Sequence, residues 1–513
     1  MTEDEAKAAA HALIPRGPSM TLSELESHLA KASDLLRGSI DQADFKAYIF
    51  PLLFFKRISD VYLEEYALAL ADSGGDHQFA TFAENHRFSI PEGCLWDDLR
   101  ERSENIGQAL VTCFQEIEKA NPDTLFGIFG QTSLWTNKQK FPDARLRDLI
   151  EHFSERPLTN ALVPPDMFGQ AYEYLIKRFA DQSNKAAGEY YTPRSVVGML
   201  VNILEPQERE TVYDPACGTA GMLIEVINHV KENGGDPKLL RGRLFGQEKV
   251  LATSGIARMN LLLHGIDDFK IVRGDTLREP AFYDGDHLAQ FDCVIANPPF
   301  SLDKWGAQTW ASDPWRRNQF GGVPLASKGD WAWVQHMWAS TAPTTGRVAV
   351  VLPQGALFRS GAEAKIRKWF LENDLVEAVI GLAPNLFYGT GLAACILVLR
   401  HRKPEGREQA IRVVNAEPLF RRGRSQNTLE PQHAEEILRL YQSDDEIAGR
   451  ARLVPMSEVA KNDHNLNLTL YVAPEADADA PTLAEAVEAL RQAQSDVRES
   501  RARLEAELAK WGL

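Results

Sequence analysis

Cysteine is scarce in this chain: five in 513 residues (Cys94, Cys113, Cys217, Cys293, Cys395), scattered and with no CxxC pair. That excludes a disulfide scaffold and a zinc ribbon, and it fits a reducing compartment, so a cytoplasmic protein is expected. The histidines show no ligand spacing, so no metal site is expected. Long apolar runs are also missing. The longest, Leu392–Leu399, falls far short of the ~18 residues that a membrane span needs. The polar opening MTEDEAKAAA lacks the basic and apolar regions of a secretory signal. Positive charge is in deficit, 56 Lys and Arg against 72 Asp and Glu, for a net −16. So acidic a chain is a poor stand-alone binder of a polyanion, because counterion release needs a Lys/Arg surface. If it acts on nucleic acid, the basic groups must be local or come from a partner.

What remains is an ordinary globular composition, 44% hydrophobic and 25% charged, without internal repeats. The length suits roughly two to four domains. Residues 1–20, with Pro15, Gly17 and Pro18, read as a loose leader. Residues 21–180 read as an all-helical N-terminal domain. Thr21 and Glu24 have capping-box spacing, and Leu22, Leu25 and Leu29 lead into the apolar run Tyr48–Phe55. From Gly188 the texture changes to short β-rich runs alternating with helical stretches: Val212–Tyr213, Leu244–Gly246, Lys270–Val272, Phe291–Ala296, Arg347–Leu352, Val376–Ile380 and Ala394–Leu399. Such alternation predicts an α/β fold with a parallel, doubly wound, Rossmann-like sheet over about 181–425. The last two runs lack room for a helix between them and are expected to form a terminal antiparallel hairpin. Residues 426–480 are a mixed segment ending in the linker PEADADAP. Residues 481–513 carry Leu483, Val487, Leu490, Val497, Leu504, Leu508 and Trp511 at heptad-like gaps. This C-terminal heptad helix either docks on its own domain or pairs with another subunit.

The chemistry-bearing residues fall at strand ends. Asp214 closes the first strand and precedes Gly218-Thr219-Ala220-Gly221 and a helix, the first turn of a nucleotide-binding βαβ unit. A carboxylate here would repel a pyrophosphate but suits a cationic ligand such as S-adenosylmethionine. Glu248 ends the second strand, where it can take ribose hydroxyls, and Asp275 ends the third, where it can accept from an adenine amino group. The fourth ends Asn297-Pro298-Pro299-Phe300. The Asn297 oxygen and the Pro298 carbonyl can accept both hydrogens of a planar amine, and Phe300 offers a stacking face. An exocyclic amine is a weak nucleophile because its lone pair is delocalised; two acceptors favour the pyramidal transition state, with no metal or strong base.

This constellation resembles the amino-group methyltransferases. Glu189-Tyr190-Tyr191-Thr192-Pro193-Arg194 precedes the first strand; Leu352–Phe358 and Asn385–Gly391 follow it. With these, nearly the whole chain resembles the modification (methyltransferase, M) subunit of Type I restriction–modification systems. The resemblance implies N6-adenine methylation of double-stranded DNA, with Glu189–Arg194, Thr219–Gly221 and Glu248 on the cofactor and Asn297–Phe300 on a flipped base. It also implies a separate specificity (S) subunit, met through the C-terminal helix and the N-terminal domain, and a restriction (R) subunit for cleavage. The absence of a convincing target-recognition domain after the last strand pair agrees. Two readings stand against it: the same chemistry on cytosine N4, RNA or protein glutamine, and a non-catalytic scaffold that binds S-adenosylmethionine. Two stretches are candidate DNA contacts: Arg402, Lys403, Arg407, Arg412, Arg421, Arg422 and Arg424, and a tryptophan-rich segment between Ser301 and Lys328 expected to order around the target strand.

Overall fold

The computed structural model describes residues 17–38, 40–182, 192–387, 390–424, 426–473 and 483–510. No strand occurs among the described residues before Val212. The N-terminal part is built on α1 (Leu22–Leu36), α2 (Phe45–Asp72), α3 (Ile106–Ala120), α4 (Asp143–Ser154) and α5 (Pro165–Gln182). The Thr21–Glu24 capping box opens α1 as expected. Buried aromatics knit these helices together: Phe55 meets Trp96 and Phe114, and Tyr48 meets Trp135 and Phe141. Met20, in the segment expected to be a loose leader, is buried in this core.

After α6 (Arg194–Leu204), the strands follow: β1 (Val212–Asp214), β2 (Leu244–Glu248), β3 (Lys270–Arg273), β4 (Cys293–Ala296), β5 (Arg347–Pro353), β6 (Val376–Leu382), β7 (Ala394–Arg400), β8 (Ala410–Ala416) and β9 (Ala451–Pro455). They form one sheet in the order β9-β8-β6-β7-β5-β4-β1-β2-β3. Strands β1 to β5 pair in parallel, while β7 enters antiparallel between β5 and β6. The expected hairpin of β6 and β7 is therefore present, but it does not end the sheet. Strand β8 adds in parallel to β6, and β9 adds antiparallel to β8. The sequence missed β8 because its Arg412 reads as surface; the side chain is fully buried and donates to the carbonyls of Leu440 and Asp445.

Four further helices complete what positions the site: α7 (Gly221–Glu232), α8 (Leu251–Leu263), α9 (Asp330–Ala339) and α10 (Ala362–Glu372). Helix α8 belongs to two cores at once. Its Ala257 and Leu261 pack under the sheet, whereas Ile256, Met259, Leu262 and Leu263 join the N-terminal aromatic core. The contact is tight: a Cβ on Gly255 would lie 2.8 Å from the Ile128 carbonyl oxygen. The C-terminal helix, α11 (Leu483–Lys510), keeps its stripe in solvent, with Leu490 58%, Val497 67% and Leu504 59% exposed. The capping residue Thr482 and Trp511 lie outside the described residues. Among the described helices, none is long and apolar enough to cross a membrane.

Candidate active site

The lateral order β4-β1-β2-β3, all parallel, sets Asn297, Asp214, Glu248 and Asp275 at or just beyond neighbouring strand ends on one edge. Ligands of open α/β sheets bind along such carboxyl edges. Asp214 is 2% exposed and accepts from the Ala216 N–H at 3.0 Å. Burial, reinforced by the nearby Glu248 carboxylate, pushes its pKa up to about 8 against that hydrogen bond. An opposite charge brought beside such a carboxyl group would favour its ionised form.

Glu248 closes over the glycine turn: its Oε2 accepts from Gly218 N–H at 3.1 Å and its Oε1 from Val250 N–H at 2.8 Å. Gly218 has φ +52° and Ala220 φ +64°, so the turn approaches the site by backbone alone before α7 begins. Gly246 in β2 makes room beneath it, since a Cβ there would lie 2.9 Å from Cys217 Sγ. Asp275 is ion-paired with Lys249 at 2.9 Å and lies 3.7 Å from Arg278.

At the fourth tip, Asn297 Nδ2 donates to Thr192 Oγ1 at 2.9 Å, while Asn297 Oδ1 is buried and has no hydrogen-bond partner. Only two buried side-chain oxygens among the described residues are in that state, Asn297 Oδ1 and Asn260 Oδ1. Leaving a buried acceptor unmade costs ~1–3 kcal/mol, so such an atom asks for an explanation. Phe300 packs edge-on against Phe387, ring centroids 5.7 Å apart, which brings Phe387 to the same edge.

The segment before β1 divides. Thr192 reaches Asn297, and Pro193 caps α6. Arg194 lines the same cleft as Thr192 and pairs there with Glu173 of α5, while 63% of its side chain stays exposed. Glu189, Tyr190 and Tyr191 lie outside the described residues. Thr192, Thr219, Gly221 and Asn260 line one cleft of about 280 Å³ with residues of α5. Asn260, unnoticed in the sequence, donates from Nδ2 to the Thr219 carbonyl at 3.0 Å. The available signal was a polar side chain inside the apolar run Met259–Leu263.

Two expectations are corrected. The tryptophan-rich segment is anchored in the protein's own core: Trp305 and Trp310 are buried against Leu277, Ala332 and Trp333. Arg317 is buried there too, paired with Asp313 at 2.7 Å, stacked on Trp310 and donating to the Thr276 and Leu277 carbonyls. The basic stretch is only partly a surface patch. Lys403, Arg407 and Arg412 are inward struts on Asp374, Asp444 and the end of the helix Pro431–Gln442, and Arg421 pairs with Glu430. Arg402, Arg422 and Arg424 alone of the seven stay exposed without a bridging carboxylate.

Fold and edge together define an S-adenosylmethionine-dependent methyltransferase of the Rossmann-like class. Residues 163–480 match the family model for N-6 DNA Methylase, and residues 25–153 match the HsdM N-terminal domain. The chain is 33% identical over 477 residues to the Type I restriction enzyme MjaVII methylase subunit of Methanocaldococcus jannaschii, covering 88% of this chain and 78% of that one. It is 27% identical to the MpnII methylase subunit of Mycoplasma pneumoniae, covering 92% and 94%. The type I restriction-modification system methyltransferase subunit from Streptococcus thermophilus superposes with a TM-score of 0.76 at 29% identity, covering 88% of this chain and 100% of that one. The chain belongs to the N-6 DNA methylase family. It is an adenine-N6 DNA methyltransferase subunit of the Type I restriction–modification kind.

Proposed function

We propose that Asn297, Pro298, Pro299 and Phe300 hold a flipped adenine while Asp214, Gly218, Thr219, Ala220, Gly221, Glu248 and Asp275 hold the cofactor. S-adenosylmethionine, when bound, supplies an electrophilic methyl group. The observation that carries the reading is the buried, partnerless Asn297 Oδ1 at the tip beside Asp214. Thr192 takes the amide N–H of Asn297, so the oxygen is the atom left for substrate. That oxygen and the Pro298 carbonyl accept the two N6 hydrogens and turn the amine lone pair outward. Phe300 stacks on the extruded base, offsetting part of the few kcal/mol that unstacking costs.

Asp214 pairs with the cationic end of the cofactor, and its ionisation on binding relieves the free protein's raised pKa. Glu248, already oriented by two backbone N–H groups, takes the ribose hydroxyls. Asp275 exchanges part of its Lys249 pairing for the adenine amino group.

The same reading assigns the partners. A specificity subunit supplies sequence recognition and most phosphate contacts, which answers the net charge of −16. It is met through the exposed stripe of α11 and the N-terminal domain; a restriction subunit joins for cleavage, and the complex works in the cytoplasm. The test is methyl transfer from labelled cofactor to double-stranded DNA in the assembled complex, followed by nucleoside analysis. N6-methyladenine that disappears in Asn297→Ala, with cofactor binding kept, is the expected result. Undiminished transfer in that variant would overturn the site assignment.

A further inference from the structure

The chain from Asn297 to Ser301 is stiff in the middle and hinged at one end. Two prolines lock their own φ angles, and each restricts the residue before it, so Asn297–Pro299 moves as a rod. Strand β4 anchors one end of the rod. At the other, Ser301 sits in the left-handed region at φ +50°, a conformation that a non-glycine residue keeps only when its surroundings hold it there. What holds it is Asp330, the first residue of α9. Its Oδ1 accepts from the Ser301 N–H at 2.7 Å, and the next turn is fastened by Gly329 N–H donating to the Leu302 carbonyl at 2.9 Å.

Asp330 is 1% exposed and is itself gripped. Arg359, from the segment following β5, donates to Asp330 and to the buried Glu363 of α10. Arg367 then donates to the Arg359 carbonyl at 3.1 Å, and its side chain ties this corner to the His464 carbonyl. A charged, buried acceptor braced by an arginine is a costly arrangement for closing one turn, unless the position of that turn matters.

We propose that Asp330 is a positioning residue for the reaction: by clamping Ser301 it sets the far end of the Asn297–Phe300 rod, and Arg359 sets Asp330. The proposal rests on the reading of Asn297–Phe300 as the adenine-holding segment. It needs no contact between Asp330 and the substrate.

The test uses the assembled complex with Asp330→Asn and Asp330→Ala, read by kcat, cofactor Kd and the fluorescence of 2-aminopurine placed at the target adenine. A roughly 10- to 100-fold fall in kcat is expected in folded Asp330→Ala, and a smaller fall in Asp330→Asn, whose amide oxygen can still accept from the Ser301 N–H. Cofactor Kd should change less than about twofold, and the extruded-base fluorescence should fall. Adding Ser301→Gly should restore part of kcat, since glycine adopts the left-handed turn without the clamp. Unchanged kcat in folded Asp330→Ala would overturn the proposal. So would kcat and cofactor affinity falling together with no rescue by Ser301→Gly, which marks a general structural role. The Asn297→Ala control separates the two failures: if it is inactive while the Asp330 variants are active, only the clamp is wrong.

Discussion

Asp60 in α2 and Asp214 at the sheet edge are both buried carboxyls whose pKa burial pushes up, and they differ in what surrounds them. Asp60 accepts from Lys56 and from the Leu158 N–H; beside it Arg57 donates to the Leu158 carbonyl and to Asn160, and Glu64 accepts from the Asn160 and Ala161 N–H groups. Every one of those charges is answered by a local partner, and the group fastens the 158–161 loop to α2. Asp214 has one short-range N–H donor and a second carboxylate nearby, and next door Asn297 Oδ1 has none. A buried polar group with its partners present is a strut. One with its partners missing is built for something that arrives later.

The sharpest way to break this contrast is at Asn297. Asn297→Ala should lower methyl transfer by about 10²- to 10³-fold, the scale of losing a preorganised polar group at a reacting centre. Cofactor affinity and the unfolding midpoint should stay within error, as measured by single-turnover kinetics, calorimetry and denaturant titration. Asp60→Ala should show the reverse pattern. Stranding Lys56 and opening the loop costs on the order of 3–5 kcal/mol of stability, read as a lowered urea midpoint, while the folded fraction keeps its cofactor affinity.

Asp214 offers a subtler test through pH. Its folded pKa of about 8 lies above the ordinary aspartate value of 3.8, so between those limits the folded protein binds the extra proton. Stability of the cofactor-free protein contributed by this group therefore falls as pH rises through that window and levels off above about 8. Asp214→Asn should flatten that slope in unfolding titrations at pH 5 to 9. In the wild type, cofactor affinity should instead strengthen as pH rises towards 8, because binding requires the carboxylate. An affinity falling over that range would contradict the assigned charge pairing.

The smallest effect on the isolated chain belongs to α11. Its exposed Leu490, Val497 and Leu504 are an apolar counterpart of the unanswered oxygen. Replacing Val497 and Leu504 with Asp should leave unfolding of the chain unchanged and abolish copurification with the specificity subunit, seen by size-exclusion chromatography. Retained assembly would remove this helix from the interface.

How much of this was legible beforehand depends on how far apart the partners lie in sequence. The four tips Asp214, Glu248, Asp275 and Asn297 could be read because each ends a short β-rich run before a turn, which is local information. The capping box at Thr21 and the heptad gaps of α11 are local in the same sense. The buried roles of Lys403, Arg407 and Arg412 were not, since each is satisfied by a carboxylate or carbonyl that only folding brings near.

By itself, then, the sequence determined the alternation of strand and helix, the acid-tipped edge and the Asn-Pro-Pro-Phe segment, because periodicity, proline stereochemistry and strand ends act within a few residues. Tertiary structure alone decided that β7 enters between β5 and β6, that two more strands extend the sheet, and that Thr192 takes one face of Asn297. It alone decided, too, that α8 serves two cores and that Asp330 meets Ser301. Those outcomes depend on which distant groups can pair once water is excluded, and no local pattern carries that information.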